Sequence, residues 1–93
     1  MTRPAETSRP RLARGCRLSE AQDQTATLLL PEAALRLNGP ALGIVRRCDG
    51  QHTFRQIVEE LLAEYGSMQP TKIEEDAAVF LDRLHERRAL DYE

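Results

Sequence analysis

Nowhere in its 93 residues does the sequence hold an apolar run approaching the ~20 residues that a membrane span needs. The opening stretch, MTRPAETSRPRLARG, carries arginines with no apolar segment behind them. It is therefore not expected to act as a secretory signal, and the chain is expected to be cytosolic, with no membrane partner. Tryptophan is absent, and residues 1–47, which hold eight arginines against four acidic side chains, contain no aromatic residue. Without interleaved aromatics that basic half makes a poor nucleic-acid footprint. Only two cysteines occur, Cys16 and Cys48, far apart in sequence and expected as free thiols in a reducing compartment. There is no C-x-x-C, no H-E-x-x-H, no glycine-rich phosphate loop, no internal repeat and no low-complexity segment. Those absences remove the usual signatures of zinc sites, metalloproteases, nucleotide-binding loops and solenoids.

What remains is an ordinary soluble composition, 41% apolar and 30% charged, in a chain long enough for one domain with a modest core. The formal charge of −2 conceals an imbalance, because residues 48–93 carry five basic side chains against eleven acidic ones. Such separation suits a charged interaction surface on each half, solvated surface being the default reading.

Residues 1–10 are polar with two prolines and read as a disordered arm, leaving 11–93 as a single domain. RLARGCRLSE is short and glycine-split, a strand or a turn. TATLLLP, with its threonines and leucines, suits a half-buried strand that Pro31 ends. AALRLN places Leu35 and Leu37 on one face and Arg36 on the other, a period of two that predicts a second strand in a hairpin with the first. From Asn38 the period becomes 3.6. Asn38 as N-cap, Pro40 in the first turn and a stripe of Ala41, Leu42, Ile44, Val45 and Cys48 predict a short helix ended by Gly50. Thr53 and Gln56 form a T-x-x-Q capping box for a second helix, with Phe54, Ile57, Val58, Leu61, Leu62 and Tyr65 as its apolar face and Gly66 at its end. A third helix is expected after Pro70, capped by Thr71 and Glu74, acidic in its first turn and basic at Arg87 and Arg88. Its stripe is Ile73, Ala77, Phe80, Leu81 and Leu84, and ALDYE follows as a short strand or a frayed tail. The fold class is therefore α+β: a small winged-helix-like domain with a two- to three-stranded antiparallel sheet ahead of three helices.

The stretch RRCDGQHTF gathers Cys48, Asp49 and His52 within five positions. Each has a local structural role. Cys48 falls on a buried stripe, Asp49 and Gly50 sit at a helix exit, and His52 precedes an N-cap and is expected exposed. Zinc needs three or four ligands at recognisable spacing, and only His85 and Cys16 remain as further soft donors, so no metal is expected. A cysteine on a core stripe has neither the exposure nor the positioned base that nucleophilic catalysis needs. The paired carboxylates Glu59–Glu60 and Glu74–Glu75–Asp76 fall on solvent faces. The expectation is a binding protein without catalysis or cofactor. A winged-helix regulator of DNA is one option, although the acidic last two helices repel phosphate. An extended peptide added to the edge of AALRLN, with Phe80 in the opposite wall, is another. A purely structural subunit fits the composition equally well.

LLLPEAALRLN, RRCDGQHT and DAAVFLDRL, taken together, resemble the PqqD family of pyrroloquinoline quinone biosynthesis. The shared features are a proline with a short apolar stretch at Pro10–Leu12, leucines into Pro-Glu at Leu28–Glu32, and Leu37 with Asn38. A Cys-Asp-Gly turn with a nearby threonine follows at Cys48, Asp49, Gly50 and Thr53, and an acid precedes Phe-Leu at Asp76, Phe80 and Leu81. The resemblance spans roughly residues 10–90. It implies a peptide chaperone that binds the precursor peptide PqqA and presents it to the radical S-adenosylmethionine enzyme PqqE. The alternative it implies is recognition of a leader peptide in another modified-peptide pathway. Carried onto this chain, the peptide would add to Ala33, Ala34, Leu35, Arg36 and Leu37 against a wall of Asp76, Val79, Phe80, Arg83 and Leu84. An open strand edge also allows either a monomer or a strand-exchanged homodimer.

Overall fold

The computed structural model describes residues 4–20, 25–65 and 70–93. The expected hairpin forms from β3, Ala26–Leu29, and β4, Ala34–Leu37, around a tight turn in which Leu30 N–H donates to Ala33 O at 2.8 Å. Ala26 and Leu28 lie opposite Leu37 and Leu35, which puts all four side chains on the core face. The ambiguous RLARGCRLSE resolves into a turn and then a strand. Gly15 takes a positive φ of 89°, Cys16 N–H bonds Ala13 O at 3.0 Å, and β2, Arg17–Glu20, then pairs with the far side of β3. The sheet order is β2-β3-β4.

A second ribbon joins the two ends of the described chain. β1, Pro10–Leu12, pairs antiparallel with β5, Leu90–Tyr92, matching Pro10 to Tyr92 and Leu12 to Leu90. Here the structure differs from the expected disordered arm through residue 10. Pro10 is fully buried, and the carbonyls of Glu6 and Ser8 accept from Arg55 N–H at 3.1 Å and Phe54 N–H at 2.7 Å. Those donors open the second helix and have no intrahelical partner of their own, so the N-terminal segment supplies what the helix end needs.

Three helices follow the sheet. In α1, Gly39–Arg46, Asn38 occupies the N-cap position but gives its carbonyl, not its side chain. The helix ends before Gly50, whose φ of 76° serves the next turn, where an added Cβ would press on Arg11 and Glu93. In α2, Phe54–Glu64, the capping box forms as read: Gln56 N–H donates to Thr53 Oγ1 at 3.1 Å, and Thr53 N–H donates to Gln56 Oε1 at 2.8 Å. The stop expected at Gly66 lies outside the described residues. α3, Pro70–Glu86, starts two residues earlier than the Lys72 start that a Thr71 cap requires. Proline's fixed φ suits the first helical position, so Thr71 falls within the helix and the acidic run Glu74–Asp76 lies beyond the first turn. α3 closes in a Schellman arrangement, with Ala89 N–H on Leu84 O at 2.9 Å and Arg88 N–H on His85 O at 3.0 Å; Arg88 sits at φ 60°. The core gathers Leu28 and Leu37 from the sheet with Ile44, Ile57, Leu61, Leu81 and Leu90. Among the described residues no helix is long and apolar enough to cross a membrane.

Candidate functional site

The Cys48–His52 segment is a brace. Cys48 is 5% exposed and its Sγ donates to Ile44 O at 3.3 Å. Burial, with Asp49 adding to it, pushes its thiol up to about 12. Asp49 Oδ1 accepts from Gln51 N–H at 2.8 Å and His52 N–H at 3.1 Å, and His52 Nδ1 stands 3.0 Å from Oδ2. Burial opposes the Asp49 charge, but these bonds outweigh it and hold the carboxyl at about 2. The sequence predicts an exposed His52; its half-buried ring instead bridges Asp49 and Glu60, with Nε2 at 3.2 Å from the latter. Arg47 completes the network, donating to Glu60 at 2.9 Å, Glu64 at 3.3 Å and Gly43 O at 2.8 Å. Desolvation works against the guanidinium, yet the two glutamates raise it overall. Every member ties the end of α1 to α2. Among the described residues no three metal-binding side chains converge.

A different surface presents an open strand edge. The strand β4 is an edge of its sheet, hydrogen-bonded to β3 alone. Along an antiparallel pair, residues alternate between those bonded to the partner and those facing away. The Leu30–Ala33 bond sets the phase, so Leu28 with Leu35 and Ala26 with Leu37 are the bonded pairs. The main-chain groups of Ala34 and Arg36 therefore point to the open side. Strand sides and faces also divide cleanly: Leu35 and Leu37 turn toward the core, while Ala34 and Arg36 are exposed on the outer face. Proline cannot be used inside such a ladder, and Pro31 stands just before it, in the bend.

On α3 the expected wall residues Asp76, Val79, Phe80 and Arg83 fall on one flank at helical spacing. Asp76, Val79 and Arg83 are exposed and Phe80 is half-buried. Val79, 40% exposed, is the exposed large hydrophobic side chain of the described residues. Leu84 does not belong to that surface. At 2% exposure it packs in the core with Ile73, Ala77 and Leu81, because its position on the helix lies beneath the flank. Leu37 likewise gives its side chain to the core and only its backbone to the edge. Ala33 closes the turn ahead of the strand.

The two surfaces meet through α1, which begins directly after β4. Pro40, Ala41 and Ile44 of α1 face Ile73, Ala77 and Phe80 of α3 across a mainly apolar depression of ≈ 220 Å³, with Asp76 in its lining. Residue-by-residue reading missed the α1 side of this depression. The available signal was Ala41 and Ile44 on the apolar stripe that follows Pro40. The exposed faces of α2 and α3 carry Glu59, Glu60, Glu75 and Asp76, which runs against a helix reading duplex DNA.

The family model for coenzyme PQQ synthesis protein D (PqqD) matches residues 26–90. A PqqA binding protein of Xanthomonas axonopodis pv. citri (strain 306) is 40% identical over 85 residues, covering 89% of this chain and 90% of that protein. The solution NMR structure of the PqqD truncation of Methylobacterium extorquens PqqCD, described as a functional, stand-alone recognition element for ribosomally synthesized and post-translationally modified peptides, is 34% identical. It aligns with a TM-score of 0.70 over 88% of this chain and 87% of that one. TbiB1, solved in complex with the TbiA(β) leader peptide, shares the fold at a TM-score of 0.76 and 20% identity, over 87% of this chain and 94% of that one.

Proposed function

The chain belongs to the PqqD family, and from that premise we propose that it is a non-catalytic chaperone for a precursor peptide. The peptide is PqqA: its leader adds as a strand to β4, and the complex presents the remainder to the radical S-adenosylmethionine enzyme PqqE. The observation that carries this reading is the open edge of β4, where the main-chain groups of Ala34 and Arg36 face outward, away from β3. Main-chain bonding supplies affinity without demanding a particular sequence, and the apolar depression between α1 and α3 supplies selectivity. Asp76, Val79, Phe80 and Arg83 form the facing wall, with Leu84 supporting it from beneath. Cys48, buried in the core, and Asp49, bonded to the amides of Gln51 and His52, hold structural places in this reading.

Titrating the 15N-labelled protein with synthetic PqqA tests the proposal. Amide shifts concentrated in 33–37 and 76–84 are the expected outcome. Shifts confined to other segments, or no shifts, overturn it. A leader peptide from a different modified-peptide pathway, used as competitor, distinguishes which pathway is served. Co-elution of PqqA, this chain and PqqE in size-exclusion chromatography tests the presentation step, and loss of PqqA from the chain when PqqE is added speaks against it.

A further inference from the structure

We infer that the open edge of β4 selects a segment with an acidic residue between two apolar ones, and that Arg36 is the residue that reads the acid. This rests on the strand-addition reading above. The six strand positions on the outer face of the three-stranded sheet are Arg17 and Ser19, Thr27 and Leu29, Ala34 and Arg36. That face thus holds two arginines and no carboxylate. The core face is apolar except for Glu20, which is already engaged by Arg46 at 2.7 Å. Four other arginines pair with acids: Arg11, Arg46, Arg47 and Arg55. Arg36 forms no ion pair among the described residues and stands exposed on the strand whose edge is open.

Strand addition fixes what Arg36 meets. Its own N–H and C=O face the incoming chain, so in an antiparallel addition the residue opposite it sits in a hydrogen-bonded pair and shares its face. Cross-strand neighbours on one face interact directly, and opposite charges there are favourable while like charges are not. The neighbours of that residue lie opposite Leu35 and Leu37. Both turn to the core face, where the pairs are the closer, non-hydrogen-bonded kind, so both favour apolar side chains. The pattern selected is apolar, acidic, apolar. Ala34, small and exposed, constrains its opposite position little.

A charge-reversal cycle tests this. Synthetic PqqA and a series in which each Asp or Glu is replaced in turn by Lys are titrated by fluorescence anisotropy against the wild-type chain, Arg36→Glu, Arg36→Lys and Arg17→Glu. One Lys peptide is expected to lose roughly two- to tenfold in affinity for the wild-type chain, as cross-strand charge pairs allow. Arg36→Glu is expected to lose a similar factor for native PqqA and to recover it with that one Lys peptide. Arg36→Lys keeps native binding, Arg17→Glu shows no such reversal, and added salt narrows every difference. If Arg36→Glu binds every peptide as the wild type does while the amides of 33–37 still shift, the inference fails and the strand-addition reading stands. If those amides shift with no peptide at all, both fail.

Discussion

Replacing Ala34 with proline separates the open side of β4 from its bonded side. Ala34 is the first residue of the strand, and the phase set by the Leu30–Ala33 bond turns its N–H away from β3. Proline removes that N–H, and the first residue of an edge strand is a position where sheets accept it. Every β3–β4 bond is kept, so the fold is expected to survive. A docked strand, in contrast, loses one main-chain hydrogen bond and is left with a carbonyl facing the ring. The net loss of such a bond with an unsatisfied partner is about 1–3 kcal/mol, or roughly five- to a hundredfold in Kd. Leu35→Pro is the control. It deletes a donor bonded to Leu28, which is fully buried, and is expected to unfold the sheet. Calorimetric titration with synthetic PqqA, accompanied by far-UV circular dichroism of each variant, reads both effects. Native-strength binding by a folded Ala34→Pro refutes docking on this edge. A folded, native-like Leu35→Pro refutes the bonding phase on which the reasoning stands.

Arg88 lies in the left-handed region at the C′ position of α3, where glycine is at ease and other residues lose about 1–2 kcal/mol. Glycine's greater unfolded freedom gives back about half of that, so Arg88→Gly is expected to raise stability by about 1 kcal/mol in urea unfolding, with Arg88→Ala near neutral. Deleting residues 1–8 removes the carbonyl partners of Phe54 and Arg55 N–H; a loss of about 1–2 kcal/mol is expected, read as a Tm lower by roughly 5–10 °C. The Asp49 carboxyl is held at about 2 in the fold, below its ordinary 3.8, so its stabilising contribution is complete above pH ~4 and lost as the pH falls toward 2. Asp49→Asn is expected to flatten that part of the acid unfolding curve, and an unchanged curve would count against the bonds assigned to it. The charge-reversal cycle at Arg36 supplies the direct test of selectivity.

The three helices and the β3–β4 hairpin were legible because their signals are local. A capping box at Thr53 and Gln56, an apolar repeat at Phe54, Ile57, Val58 and Leu61, and a period of two at Leu35 and Leu37 each act within about ten residues of chain. The candidate site was legible to the same extent: β4 as a strand and Asp76, Val79, Phe80 and Arg83 as neighbours on a helix. Tertiary structure alone decided the rest. Pro10–Leu12 and Leu90–Tyr92 are three-residue strands from the two ends of the chain, too short to carry a period, and they exist because each finds its partner. Glu6 and Ser8 are ordered because the first turn of α2 has donors without partners. Leu84 and Phe80 look alike in sequence, yet packing against the core buries one fully and leaves the other half-buried. Which backbone groups of β4 remain open depends on the register of a single turn, and register is a property of two strands together, which neither strand states by itself.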